Sequence, residues 1–507
     1  KKLLQAAAGA AGAEALDVDE VFSTFLYDGN SSTQTITNNI DLSGEGGLVW
    51  IKNRENTSGP HYLHDSEMSS DIHYLQSQSN TGLASGAAIT KNNNGFSIAS
   101  TSWEGLNASG EDYVSWTFRK APKFFDVVTY TGTSSAKTVS HNLGSVPAMI
   151  IVKCTSGTGN WRVYHRGLDG GNAPEDYVIN LNLTNAEANS SSYWNDTAPT
   201  STEFTVGGDD DVNDFGDTYV AYLFAHNNSD GEFGPDADQD IIKCGSFTTN
   251  SSGEIPDVNL GFEPQFVLMK AAGANTSWFM MDTMRGYTLT GTQPLEANSS
   301  NAETTSWGAN TYLGVPTSTG FTQGSSNTGT NNTEWIYMAI RRGPLAEPEN
   351  ATDVFHIQSQ SDGATYSVGF PTDLILLNKT GGSSANTYVG SRLLGNSSYF
   401  VTSTDAAEAS SSNLWTFDGA TTKNDFDQGA STSSAWVGWH WARARGYFDV
   451  VTYTGTGSAR TVTHNLGVVP EMMWIKNRDA SENWPVYHKG LDGGTNPETH
   501  YIRLNQT

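Results

Sequence analysis

Phe125-Asp126-Val127-Val128-Thr129-Tyr130-Thr131-Gly132-Thr133 returns as Phe448-Asp449-Val450-Val451-Thr452-Tyr453-Thr454-Gly455-Thr456. The copies lie 448 − 125 = 323 residues apart. The register holds without a gap through His141-Asn142-Leu143-Gly144, matched by His464-Asn465-Leu466-Gly467. It still holds at Trp161, Tyr164, His165 and Gly167, matched by Trp484, Tyr487, His488 and Gly490. Repetition on this scale makes the chain an array of similar modules, and it governs every other reading.

Two weaker markers fill the interval. The first is an apolar run ending in lysine: Leu48-Val49-Trp50-Ile51-Lys52, Met149-Ile150-Ile151-Val152-Lys153, Phe266-Val267-Leu268-Met269-Lys270, Leu374-Ile375-Leu376-Leu377-Asn378-Lys379 and Met472-Met473-Trp474-Ile475-Lys476. The second closes each full module: Tyr113-Val114-Ser115-Trp116-Thr117-Phe118, Tyr219-Val220-Ala221-Tyr222-Leu223-Phe224, Trp335-Ile336-Tyr337-Met338-Ala339-Ile340 and Trp436-Val437-Gly438-Trp439-His440-Trp441. These markers define repeats over 20–121, 124–227, 240–343, 353–443 and 446–507, after an N-terminal arm or short Ala-rich helix at 1–19. The fifth repeat stops before its closing segment, so either further polypeptide or another chain is expected to complete it.

Seven short strands are expected in the second repeat, over 125–131, 137–141, 148–154, 161–165, 177–183, 203–206 and 218–225. The closing segment is apolar on both alternating faces, as in a central strand covered on both sides. The predicted fold is therefore all-β: tandem antiparallel two-sheet β-sandwiches, jelly-roll-like or immunoglobulin-like, in a row. Short links at Ala121-Pro122-Lys123 and Ala442-Arg443-Ala444-Arg445 suggest a stiff rod.

Composition agrees. Of 507 residues, 11% are aromatic and only 16% charged, with Gly, Ser, Thr and Asn abundant, which suits short strands joined by turns. Two cysteines, Cys154 and Cys244, provide neither a disulfide framework nor metal spacing. The formal charge of −27 argues against nucleic-acid binding, which needs a basic footprint, and against anionic membranes. No apolar run reaches the roughly 18 residues of a membrane-spanning helix.

No G-x-S-x-G, H-E-x-x-H or P-loop pattern appears, and the chain is not expected to be an enzyme. Two sets of residues are candidate sites. Asp209, Asp211 and Asp214 supply carboxylates in a Gly-rich loop that suits Ca2+, against a solvated loop with no cofactor. Trp194, Trp307 and Trp415 follow Glu187, Glu303 and Glu408 in Ser/Asn-rich segments, and would either stack on sugars or anchor loops. His165 and His488 share one repeat position, where a structural hydrogen-bonding role outweighs a catalytic one.

The run Phe-Asp-Val-Val-Thr-Tyr-Thr-Gly, then His-Asn-Leu-Gly-x-Val-Pro, Met-Ile-Ile-Val-Lys and Trp-Arg-Val-Tyr-His-Arg-Gly, ending in Asp217-Thr218-Tyr219-Val220-Ala221-Tyr222-Leu223-Phe224, resembles a repeat domain of unknown function. That domain occurs in structural and tail-fibre-like proteins of marine tailed phages, many infecting cyanobacteria. The opening Lys1-Lys2-Leu3-Leu4-Gln5-Ala6-Ala7-Ala8-Gly9 is similar to the start of such proteins. The resemblance implies a structural protein at the virion surface, a tail fibre or appendage for host attachment. The arm would dock on other virion proteins and the chain would form a homo-oligomer. It implies no catalytic residues. The alternatives are a carbohydrate-binding adhesin contacting host glycan through repeat loops, and a secreted polysaccharide-degrading enzyme.

Overall fold

The computed structural model describes residues 15–507 except 104, 290, 304–312, 325, 344–347, 349, 362–364, 380–385, 412–414, 419–420, 425–434 and 507. The expected N-terminal helix or arm lies largely outside the described residues. The chain is all-β, and among the described residues the strand pairings are antiparallel. It divides into two compact units. One comprises 1–282, 293–314 and 319–345, the other 283–292, 315–318 and 346–507.

Each full repeat is built on one main sheet whose central strand is the closing segment. In the second repeat the closing strand Thr218–Phe224 lies between the opening strand Phe125–Thr131 and the lysine strand Met149–Cys154. The sheet continues through Arg162–His165 and Tyr177–Asn180. Lys137–Ser140 and Glu203–Val206 form a separate small sheet. All seven expected strands of this repeat are present, with ends differing by a few residues.

The same order recurs in the first repeat: Phe22–Asp28, Asp112–Arg119, Gly47–Asn53, His61–Asp65. It recurs again in the third: Ile242–Thr248, Glu334–Arg341, Pro264–Ala271, Phe279–Asp282. The fourth follows it with Phe355–Ser361, Ala435–Trp441, Leu374–Lys379 and Thr387–Ser391.

The closing strand earns its central place through two-sided burial. From Tyr219 to Phe224 every side chain is buried, as a strand covered on both faces requires. Stacked tyrosines tie it to the opening strand: Tyr27 on Tyr113 at 5.1 Å and Tyr130 on Tyr219 at 5.2 Å. Their hydroxyls reach loop carbonyls, Tyr27 to Leu106 and Tyr130 to Val212.

The fifth repeat keeps only Met472–Trp474, Pro485–His488 and Ile502–Arg503 as strands. Its opening segment, a copy of Phe125–Thr131, is not a strand. In the other repeats that segment's ladder partner is the closing strand, and no closing strand pairs with it here among the described residues.

The link Ala121-Pro122-Lys123 is fastened rather than merely short. The Ala121 amide bonds the Phe125 carbonyl, and Lys123, at φ 61°, donates its amide to the Leu143 carbonyl. Ala444 and Phe448 repeat the bond in the second unit, and Gly446, at φ 70°, repeats the turn.

Candidate functional site

The residues that carry chemistry gather where repeats meet. The lysine that ends the apolar strand is fully buried in the first three repeats. Each ammonium donates to a carbonyl on its own loop and to one on a neighbouring repeat. Lys153 of the second repeat reaches Asn80 of the first at 3.2 Å. Lys270 of the third reaches Thr184 of the second at 3.0 Å. Lys52 of the first reaches Ser300 of the third at 3.3 Å. Second reaches first, third reaches second and first reaches third, so the contacts close a ring.

The position opposite each lysine repeats the circuit. Trp161 donates its indole N–H to the carbonyls of Gln76 and Ser79, at 3.1 and 2.9 Å. Trp278 donates to Asn180 at 2.7 Å. His61 holds this place in the first repeat. Its Nδ1 accepts from the Trp50 indole, so Nε2 carries the proton and donates to Glu296 at 3.0 Å. Arg54 adds a 2.7 Å ion pair with Glu303 across the first-to-third junction.

A third equivalent position lies where the partner strand ends, at Asp65, His165 and Asp282, each opposite the first residue of its lysine run. Tyr222 donates its hydroxyl to Asp65 at 2.7 Å. Trp116 donates to Asp282 at 3.0 Å. His165 Nδ1 accepts from Gly167, leaving Nε2–H to donate to the Tyr337 carbonyl at 3.0 Å. Aromatic contacts also cross the junctions: Phe118 lies 5.6 Å from both Phe125 and Phe224, and Phe22 lies 5.5 Å from Phe266. The row of modules expected from sequence is thus a closed trio here, because apolar strand ends that a linear array would leave exposed cover one another.

Burial sets the protonation of these groups. It pushes His165 down to about 3, so the imidazole is neutral. It lowers Lys153 to about 8 and Lys270 to about 7. It raises the Asp65 carboxyl, with the Tyr222 hydrogen bond opposing.

The same lock joins the fourth and fifth repeats in the second unit. Trp484 donates to Thr404 at 3.1 Å, Lys476 to Asp405 at 3.3 Å, and Arg478 pairs with Glu408 at 2.5 Å.

Of the proposed calcium ligands, Asp209 caps the turn Asp210–Asn213, Asp211 pairs with Arg162 at 2.6 Å, and Asp214 accepts from Ser134. Among the described residues no group of three or more His, Cys, Asp or Glu side chains is placed to hold a metal. Trp194 and Trp415 are buried, and their indoles donate to Tyr177 and Ser398 at 3.0 Å each. Trp194 ends the short helix Ser191–Trp194 and Trp415 opens the strand Trp415–Asp418, and neither presents a free ring face to a sugar. Trp307 lies outside the described residues. His488 is exposed, and its Nδ1 accepts from Gly490 as His165 does from Gly167.

The first repeat holds a cleft of about 560 Å³ lined by Ser58, Pro60, Tyr62, Thr101, Ser102 and Trp103. The second repeat fills the equivalent place. Its Arg162 stands at the register position of Tyr62, and Asp211 at that of Gly105, with the offset 211 − 105 = 106 equal to 219 − 113.

The sequence description "Domain of unknown function (DUF7483)" matches residues 17–344 and 351–507. The chain belongs to this family. The first DUF7483 match spans the closed trio, and the second restarts at the fourth repeat. Capping boxes mark both starts, Asp17 with Glu20 and Asn350 with Asp353. No curated protein matches the chain.

The junction lysines and His61 were not legible as functional in the sequence. Their signal was position: lysine ends the same apolar strand in four repeats, while the fourth places Asn378 there.

Proposed function

We propose that the chain is a structural virion protein of a tailed phage, a tail fibre or surface appendage that projects its repeats from the particle toward the host. The observation that carries this is where the reactive side chains go. Lys52, Lys153, Lys270, His61, Trp161 and Trp278 all hold one repeat to the next, which suits a stiff scaffold rather than a reaction centre. The resemblance to marine phage structural proteins gives the setting, and the acidic surface suits a particle in salt water, where a Debye length of about 4 Å screens its self-repulsion. The N-terminal arm would dock on other virion proteins, and the fibre would assemble from several copies. Electron microscopy of virions labelled with an antibody to residues 20–121 tests the reading. Label on a particle appendage supports it, and label confined to infected-cell cytoplasm rejects it.

A glycan-binding adhesin is the second reading, favoured by the cleft beside Trp103. Its aromatic wall and hydroxyl rim suit a sugar ring. A glycan array probed with the full chain and with Trp103→Ala distinguishes the two, since a scaffold alone gives no signal that depends on Trp103.

A further inference from the structure

The cleft of the first repeat is a place that the second repeat closes with its own side chains. There Arg162 lies over the Tyr193 ring at 4.3 Å and pairs with Asp211 at 2.6 Å. The first repeat has Tyr62 and Gly105 at the positions of Arg162 and Asp211. That exchange removes both charges and leaves an aromatic wall. A Cβ at Gly105 would lie 1.9 Å from the Tyr62 ring, and one at Gly86 would lie 2.1 Å from the Trp103 ring. Bare backbone therefore packs against both rings and holds them. Trp103 completes the wall, 4.9 Å from Tyr62 and 5.2 Å from Tyr74 between ring centroids.

The polar groups of the cleft define its chemistry. The indole N–H groups of Trp161, Trp194, Trp278 and Trp415 all donate to backbone carbonyls. The half-buried Trp103 bonds Thr101 through its main-chain amide, and its indole N–H donates to no protein group among the described residues. Thr101 Oγ1 accepts that amide, which leaves the hydroxyl proton to donate. Ser58 and Ser102 are exposed on two different loops at the rim. No described residue lining the cleft carries a charge. An anionic ligand would find no cation there to offset its desolvation, and the chain's net charge of −27 would repel it.

A neutral sugar matches both halves of this site. Its C–H face packs on aromatic rings, and its hydroxyls accept from and donate to a rim of N–H and O–H groups. The volume of about 560 Å³ falls inside the roughly 300–1,000 Å³ range of small-molecule sites. We propose that the cleft binds an uncharged mono- or disaccharide unit of a glycan, with the sugar's C–H face on the Tyr62–Trp103 wall and a sugar hydroxyl accepting the Trp103 N–H. The assignment rests on the glycan-binding reading above and adds its place and its ligand class. The second repeat, closed by Arg162 and Asp211, takes no sugar at the equivalent position.

The full chain is applied to an array of neutral glycans (maltose, cellobiose and lactose among them) and anionic ones (glucuronate and sialyllactose among them). The strongest neutral probe is then titrated against the full chain and two variants. Retention on neutral glycans is expected. Ser102→Arg, at an exposed rim position, is expected to weaken binding at least tenfold with an unchanged melting temperature. Trp103→Phe keeps an aromatic ring and removes the N–H, and is expected to weaken binding several-fold. Undiminished binding by either variant would place the sugar elsewhere and overturn the proposal while the glycan-binding reading stood. Retention confined to anionic glycans would do the same. No retention on any glycan would overturn both.

Discussion

Trp161 shows at the residue scale how one side chain does two jobs. Its ring is fully buried within the second repeat, while its N–H satisfies two carbonyls of the first. Trp161→Phe keeps most of the apolar area and strands those carbonyls. The expected loss is about 1–3 kcal/mol of stability in the first unit, read by denaturant unfolding. Protonation gives a second test. His165, held near 3, remains neutral in the fold but charges once unfolded below about 6.5. Its stabilising contribution is present above pH 6.5 and is lost as pH falls toward 3, and His226, lowered to about 4, acts in the same direction. The raised carboxyls of Asp65 and Glu187 offset part of this. Lys153 and Lys270, lowered to about 8 and 7, make stability rise with pH from there toward 10.5. The melting temperature is therefore expected to be higher at pH 9 than at pH 6. A flat or inverted profile between those values would remove the buried lysines from the junctions.

At the scale of the element, sequence and structure agree best where periodicity is strongest. The closing segments could be read as central strands because both alternating faces are apolar, and the structure buries Tyr219 through Phe224. The strand set of the second repeat was legible for the same reason. Long-range pairing was not. The copy of Phe125–Thr131 forms no strand although its sequence is nearly unchanged, because a ladder needs a partner and none pairs with it among the described residues. Trp194 and Trp415 stand in Ser/Asn-rich segments where sequence does not report burial, and the structure buries both rings. Val220→Pro tests the central placement. A proline there removes a ladder amide in the middle of a sheet, so it is expected to cost about 3 kcal/mol or more, with loss of near-ultraviolet circular dichroism from the whole first unit. A loss confined to a few tenths of a kcal/mol would put the strand at an edge.

At the scale of the whole molecule, the spacing of the recurring markers was legible but the packing of the modules within the first unit was not. Similar modules of about a hundred residues fit a row or a ring equally well. The choice rests on carbonyls of the third repeat that meet side chains of the first, a relation that no local pattern encodes. Arg54 and Glu303 form one such contact and are largely buried. Arg54→Glu is expected to destabilise the first unit by about 1–3 kcal/mol, and the double variant with Glu303→Arg to recover most of it. Additive losses would mean that the pair is not in contact. The fourth and fifth repeats make the corresponding junction in the second unit, where Trp484 donates to the Thr404 carbonyl.

Ring closure is tested most directly by pulsed electron spin resonance between labels at Ser58 of the first repeat and Asn301 of the third, in the full chain. Both positions are exposed, and they flank the hydrogen bond from Ser300 to the Thr57 carbonyl. The closed trio requires a narrow distance distribution below about 25 Å. A module of this size has a radius of gyration of about 13 Å, so a linear array with the second repeat in between would put the labels beyond about 35 Å. A dominant population at that longer distance would refute the ring.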